Sequence, residues 1–246
     1  MMKRVLLILL AVLSTVACRK ITPEDRIAQI SDYFKTNENT YAEDLHRHEG
    51  QKRLDYLTLK LAKEINAEDI WTLENEGENS LVAEFPGREG KKTQFSLLSA
   101  SLDDPDACAV VLNTLQAFKD LKINPKGTIR ALFYSPLKDT AGISGLSAVF
   151  REIFESGELV TFEMEVASRD TLPGHTFFLD EKPVFAERLL EVVPPYLSPL
   201  GDYRLEQGEY PNPEWPVKAS VYRYYIDPSD LKKESAVISA FSFLVN

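Results

Sequence analysis

Three acids stand close together in this 246-residue sequence, Asp103, Asp104 and Asp106, and two more, Glu163 and Glu165, alternate within an apolar run. Such a group suits a hard cation, Ca²⁺ or Mg²⁺, held through oxygen. The same loop also precedes an apolar-periodic stretch, where acids satisfy free N–H groups and the positive end of a helix dipole. Capping is the favoured reading. Imidazole is scarce: only His46, His48 and His175 occur. On a helix His46 and His48 would point to nearly opposite sides, and a solvated face is expected for both. His175 follows Pro173-Gly174 and is expected in a turn. A reduced metal site would have Asp103, Asp104, Glu163 and His175 to draw on, short of an ordinary zinc set. Gly142-Ile143-Ser144-Gly145-Leu146 approaches a nucleophile elbow, but Leu146 stands where the second glycine belongs, and a helix start is expected instead.

The two cysteines, Cys18 and Cys108, exclude a disulfide scaffold and a four-thiolate zinc knuckle. Lys3-Arg4, the apolar run Val5 to Leu13 and Ser14-Thr15-Val16-Ala17 make a secretory signal over residues 1–17. Its apolar core is too short for a transmembrane helix of about 20 residues. Cys18 directly after Val16-Ala17 resembles a bacterial lipobox, with Thr15 where leucine is usual. That implies a lipid-modified Cys18 and a membrane anchor. The other reading is an ordinary signal peptide, leaving Cys18 free or bonded to Cys108. Arg19 after Cys18 is not the aspartate associated with inner-membrane retention, so the periplasmic side of the outer membrane is favoured. A formal net charge of -10 and the lack of a long basic run exclude general nucleic-acid binding.

These residues need elements to place them. Thr22-Pro23-Glu24-Asp25 is a helix start, with Thr22 as N-cap, and the helix should reach about Phe34. A second helix is expected over 42–65, on the stripe Leu54, Leu57, Leu61 and Ile65. Strands are expected at 71–73, 81–85 and 94–99, a helix over 106–121, a strand at 128–134, a helix over 143–154 and a strand at 160–166. Further on, 184–193 reads as helix and 220–226 as strand, with Tyr222 and Tyr224 on one face, expected at a sheet edge against the last helix. Ser229 would cap that helix. The stiff segment Tyr210–Pro216 reads as a loop. Alternating strands and helices predict an α/β fold, with a mostly parallel or mixed sheet flanked by helices. The organisation expected is a signal peptide (1–17), a tether with one helix (18–39) and a single domain (40–246).

In such sheets ligands bind at the carboxyl ends of the strands. Two such ends are Ser101-Leu102-Asp103-Asp104 and Ser135-Pro136-Leu137-Lys138. Over roughly 45–170 the chain resembles the M28 zinc aminopeptidases. "LVAEFPGREGKKTQFSLLSASLDD" is similar to that family's proline-glycine strand, central strand and metal loop. "ACAVVLNTLQAFKDLKINPKGTIRALFYSP" is similar to its helix and following strand, and "AGISGLSAVFREI" to the segment after its paired glutamates.

The resemblance implies a three-layer zinc-aminopeptidase-like sandwich of the phosphorylase/hydrolase type. It also implies which positions have changed. Ser101-Leu102-Asp103 stands for the family's His-x-Asp, and Asp104 or Asp106 is a remnant of the bridging aspartate. Leu137-Lys138 stands for the glutamate pair, and Glu163 falls near the third-strand aspartate. Leu137 neither ligates nor moves a proton, and Lys138 puts a cation where a dication belongs. The expectation is therefore a noncatalytic scaffold with no catalytic residues and no resident cofactor, binding a protein or peptide. The alternative is a metal-dependent aminopeptidase with a reduced or shifted zinc site. A third possibility, an unrelated βαβ binding module, is separated from both by strand order and by whether Asp103, Leu137 and Glu163 converge.

Overall fold

The computed structural model describes residues 21–37, 41–75, 78–88, 94–135, 159–168, 175–179, 200, 203–207 and 220–245. The first helix, α1 (Pro23–Thr36), begins as its sequence requires. The Thr22 hydroxyl accepts from the Asp25 N–H at 3.2 Å, and the Asp25 carboxylate accepts from the Thr22 N–H at 3.1 Å. Its apolar face buries Ile27, Ile30 and Phe34.

The helix expected over 42–65 is broken. It divides into α2 (Ala42–His46), α3 (Gln51–Lys60) and a wider π turn at Leu61–Ile65. Gly50, at φ 51°, takes a left-handed conformation that ends any helix passing through Arg47–Glu49. The apolar stripe starts at Leu54, beyond that break, so periodicity had no hold on the first half.

Five strands follow closely: β1 (Ile70–Asn75), β2 (Glu78–Phe85), β3 (Gln94–Ser101), β4 (Thr128–Tyr134) and β5 (Leu159–Ser168). Between β3 and β4 runs α4 (Pro105–Asp120). Three more strands, β6 (His175–Leu179), β7 (Tyr203–Gln207) and β8 (Ser220–Ile226), precede the last helix, α5 (Leu231–Val245). The sheet order is β1-β2-β4-β3-β5-β8-β6-β7. β4, β3, β5 and β8 run parallel, while β2 on β4 and β6 on β8 are antiparallel. The sheet is therefore mixed and flanked by helices, as expected.

Two expectations change here. His175 opens β6 rather than sitting in a turn, and β8 lies inside the sheet rather than at its edge. β6 and β7 are five-residue strands, too short for alternation to announce. The helices expected at 143–154 and 184–193 and the Tyr210–Pro216 loop lie outside the described residues.

One core joins the sheet to the helices. Ile129, Ala131 and Phe133 of β4, Leu98 and Ala100 of β3, and Met164 and Val166 of β5 meet Val111, Leu115 and Phe118 of α4 and Ile238 and Phe241 of α5. The opposite face of the central strands is buried too, at Phe95, Leu97 and Leu132, with Arg130 buried among them. Between α4 and α5 runs a polar seam. Asn113 Nδ2 donates to Ser235 Oγ, and Ser239 Oγ to Thr114 Oγ1, each at 3.2 Å. α5 is not capped by Ser229. Asp227 accepts from the Ser229 N–H at 2.9 Å and holds a 3₁₀ turn, Pro228–Asp230, before α5 begins.

Carboxylates accept from several tyrosine hydroxyls, among them Tyr33 with Asp120, Tyr41 with Glu64, Tyr56 with Asp44 and Tyr224 with Glu234. Burial first, and the neighbouring carboxylate second, push the phenols of Tyr33, Tyr41, Tyr56 and Tyr224 above their ordinary value of 10.0. Below that value both folded and unfolded chains keep these protons. Above it the unfolded chain loses them while the folded chain holds them, so stability falls as pH rises. Thermal melts should therefore show the transition temperature dropping steeply above about pH 10, the ordinary tyrosine value. In Tyr41→Phe the drop should be shallower.

Candidate functional site

The C-terminal ends of β4, β3, β5 and β8 lie along one edge of the sheet, and the loop Ser101–Asp104 crosses that edge to start α4. Asp104 holds the corner. Its Oδ1 accepts from the Ala107 N–H at 2.9 Å, capping α4, and from Ser168 Oγ at 2.9 Å. Its Oδ2 accepts from the Ser168 N–H at 2.6 Å. A carboxylate offers about four acceptor positions, and three are taken. The favoured capping reading is what the geometry places here, with a link to β5 added.

Around Asp104 the loop is tied on every side. The Asp103 N–H donates to Ser101 Oγ at 3.2 Å, while the Asp103 side chain is exposed. The Leu102 N–H donates to the Tyr134 carbonyl at 2.7 Å. Arg53, only 7% exposed, donates from Nη1 to the Leu102 carbonyl and from Nε to the Leu45 carbonyl at 3.1 Å. A buried guanidinium thus stands directly behind the loop. Cys108 is fully buried and donates from Sγ to the Ser101 carbonyl at 3.2 Å. Burial, then Asp104, pushes its thiol far above the ordinary range, with Arg53 opposing. It stays protonated, so it is neither a thiolate ligand nor a nucleophile.

The remaining expected residues are spread out. Glu163 pairs with Leu97 of β3, four residues below Ser101, which is about 13 Å along a strand. Ser168, at the end of β5, is the residue that meets the loop. Glu165, 4% exposed, accepts from the Tyr134 hydroxyl at 2.7 Å. His175 lies one step beyond the Thr176–Tyr225 pair, at the same edge but two strands past β5, about 10 Å away. Leu137, Lys138 and the Gly142–Leu146 segment lie outside the described residues.

One pair escaped the sequence reading. His46 Nε2 lies 3.0 Å from Asp106 Oδ1, bringing the end of α2 to the first turn of α4. The signal was present in the break: with Gly50 ending the helix, His46 becomes a terminal residue free to turn toward the loop. His48 behaves differently. It donates from Nδ1 to the Asp44 carbonyl at 2.5 Å and stacks on Tyr56, with ring centroids 5.1 Å apart.

The fold is of the kind seen in solved aminopeptidases. Among solved structures it is similar to the Legionella pneumophila LapA aminopeptidase, at 13% identity and TM-score 0.59, over 92% of this chain and 72% of that one. It is similar also to a leucine aminopeptidase precursor from Bacteroides thetaiotaomicron, at 11% identity and TM-score 0.57, over 88% of this chain and 96% of that one. A peptidase M28 precursor from Shewanella amazonensis matches at 17% identity and TM-score 0.53, over 68% of this chain; the chain spans 44% of that protein's length. No protein-family model matches the sequence, and no curated protein does. At these identities the likeness is one of fold.

The zinc that such folds imply does not fit the described corner. Ser101 supplies no imidazole, Asp104 is engaged by α4 and β5, and Arg53 backs the loop with a positive charge. Among the described residues no three histidine, cysteine or acidic side chains form a metal-holding group.

Proposed function

We propose that the protein is a cell-envelope lipoprotein, anchored through Cys18 on the periplasmic side of the outer membrane, whose peptidase-like domain binds a protein or peptide without hydrolysing it. The observation that carries this reading is Asp104. The residue nearest in sequence to a bridging metal ligand is committed to backbone and hydroxyl donors on two elements. Freeing it for an ion would uncap α4 and release Ser168, costing about 2–4 kcal/mol before any metal bond forms.

One observation favours the alternative of a shifted metal site. The 3.0 Å between His46 Nε2 and Asp106 Oδ1 is also a spacing that two ligands of one ion can adopt. A single set of measurements separates the readings. Metal analysis and an aminopeptidase assay on the mature protein should find no stoichiometric metal and no turnover. The melting temperature should stay the same with chelator or with added Zn²⁺, Mn²⁺ or Ca²⁺, since only a ligand of the native state raises it. Stoichiometric zinc with metal-dependent turnover would overturn the binding reading. Loss of that metal in His46→Ala would place the ion at the shifted site.

A further inference from the structure

We infer that the strand-end edge carrying Ser101 and Asp104 is held off the bilayer that anchors the protein, so that its partner comes from the aqueous compartment and not from the anchoring membrane. The inference rests on the lipid anchor at Cys18 and goes beyond it to the orientation of the domain.

The direction of α1 decides the geometry. At its start, Arg26 Nη1 donates to the Leu121 carbonyl at 3.3 Å, just past the end of α4. Toward its end, Ser31, Phe34 and Lys35 line a cavity of about 350 Å³ together with Asp230, Lys232 and Lys233 at the start of α5. α4 begins at the Asp104 edge and ends at the opposite one, where β4 begins. α1 therefore runs from the far end of the sheet toward the Asp104 edge. Ile21 and Thr22 lie at the far end.

Two lengths then compare directly. The 16 residues of α4 separate the two ends by about 24 Å. Seven residues of β4 give about 23 Å. From Cys18 to Ile21 there are three residue steps, which reach at most about 10 Å when fully extended. Were the Asp104 edge to lie on the bilayer, Ile21 would stand more than 20 Å above it, roughly twice the reach of the tether. That orientation is closed to a lipidated chain.

Charge does not override this. Among the described residues the tethered end carries both signs, Arg26, Arg88, Lys122 and Lys126 together with Glu24, Asp69 and Asp120. Ile21, 51% exposed, is the apolar residue nearest the anchor. Orientation is set by tether length and should persist at high salt, where exposed charges are screened.

The test uses the lipidated full-length protein in vesicles containing nitroxide-headgroup lipids. A fluorophore is placed at Glu24→Cys, beside the tether, or at Asp103→Cys, on the distal edge; Cys108 is fully buried and does not label. Quenching at position 24 should exceed that at position 103 roughly fivefold, given a separation near 24 Å, and should do so equally at low and high salt. Equal or stronger quenching at 103 would overturn the orientation while leaving the anchor intact. A mature mass without lipid on Cys18, with Cys18→Ser behaving like the parent protein, would instead overturn the anchor reading and this inference with it.

Discussion

Replacing Gly87 by alanine should lower the melting temperature by roughly 6–12 °C, from a loss of about 3 kcal/mol in a chain of this size. The register of β2 on β4 pairs Phe85 with Ile129, so two residues further on Gly87 comes opposite Gly127. There the backbones meet more closely than a ladder allows. A Cβ at Gly87 would stand 2.2 Å from the Gly127 oxygen, 2.3 Å from its carbonyl carbon and 2.8 Å from the Thr128 nitrogen. None of these is the tip of a flexible side chain, and the Arg88 N–H bond to the Pro125 carbonyl at 2.9 Å holds the strands in place. Relief requires moving the start of β4, a fully buried strand at the centre of the sheet. Gly50 is the contrasting control: a methyl group added there would have no atom within 4 Å, so Gly50→Ala meets only the strain of φ 51°, about 1 kcal/mol. Thermal melts of the two variants should differ severalfold in their shifts; equal shifts would mean that the close approach at Gly87 is absent.

Much of this architecture could be read from residue order. The capping box at Thr22–Asp25, the apolar stripe of α4 and the apolar and aromatic run of β4 are local signals, and each element formed where its signal lay. The proline-glycine pair at 86–87 and the "GTIRALFYS" strand also carried the resemblance, because the backbone contact that needs glycine joins those two segments. What was not legible depended on register and on short elements. Glu163 and Ser168 share one strand, and sequence alone does not say which comes near the loop after Ser101; hydrogen-bond register decides it. Arg53 reads as one more charge on a helix, and only the fold tucks its guanidinium behind Leu102. His46 needed the break at Gly50 to be recognised first.

The second large effect is expected at Asp104. Asp104→Ala should cost about 3 kcal/mol, from a lost helix cap near 1 kcal/mol and an unsatisfied Ser168 N–H at 1–3 kcal/mol. The melting temperature should fall by roughly 6–12 °C. Asp104→Asn should keep the cap, since asparagine serves that position as well as aspartate, but its NH₂ would face the Ser168 N–H, so the loss of that bond should remain. Asp103→Ala removes an exposed carboxylate while the contact to Ser101, made by the backbone N–H, stays in place, so its melting temperature should move by less than about 2 °C. This asymmetry distinguishes the two readings of the loop. A metal-holding loop would tie both aspartates to the ion, so that chelator lowered the parent's stability and each substitution abolished that response. A capping loop makes Asp104 matter and Asp103 not, with chelator irrelevant to all three proteins. Melting curves of the parent, Asp103→Ala and Asp104→Ala, with and without chelator, give that comparison, and a chelator-sensitive parent would show that the carboxylates serve an ion after all.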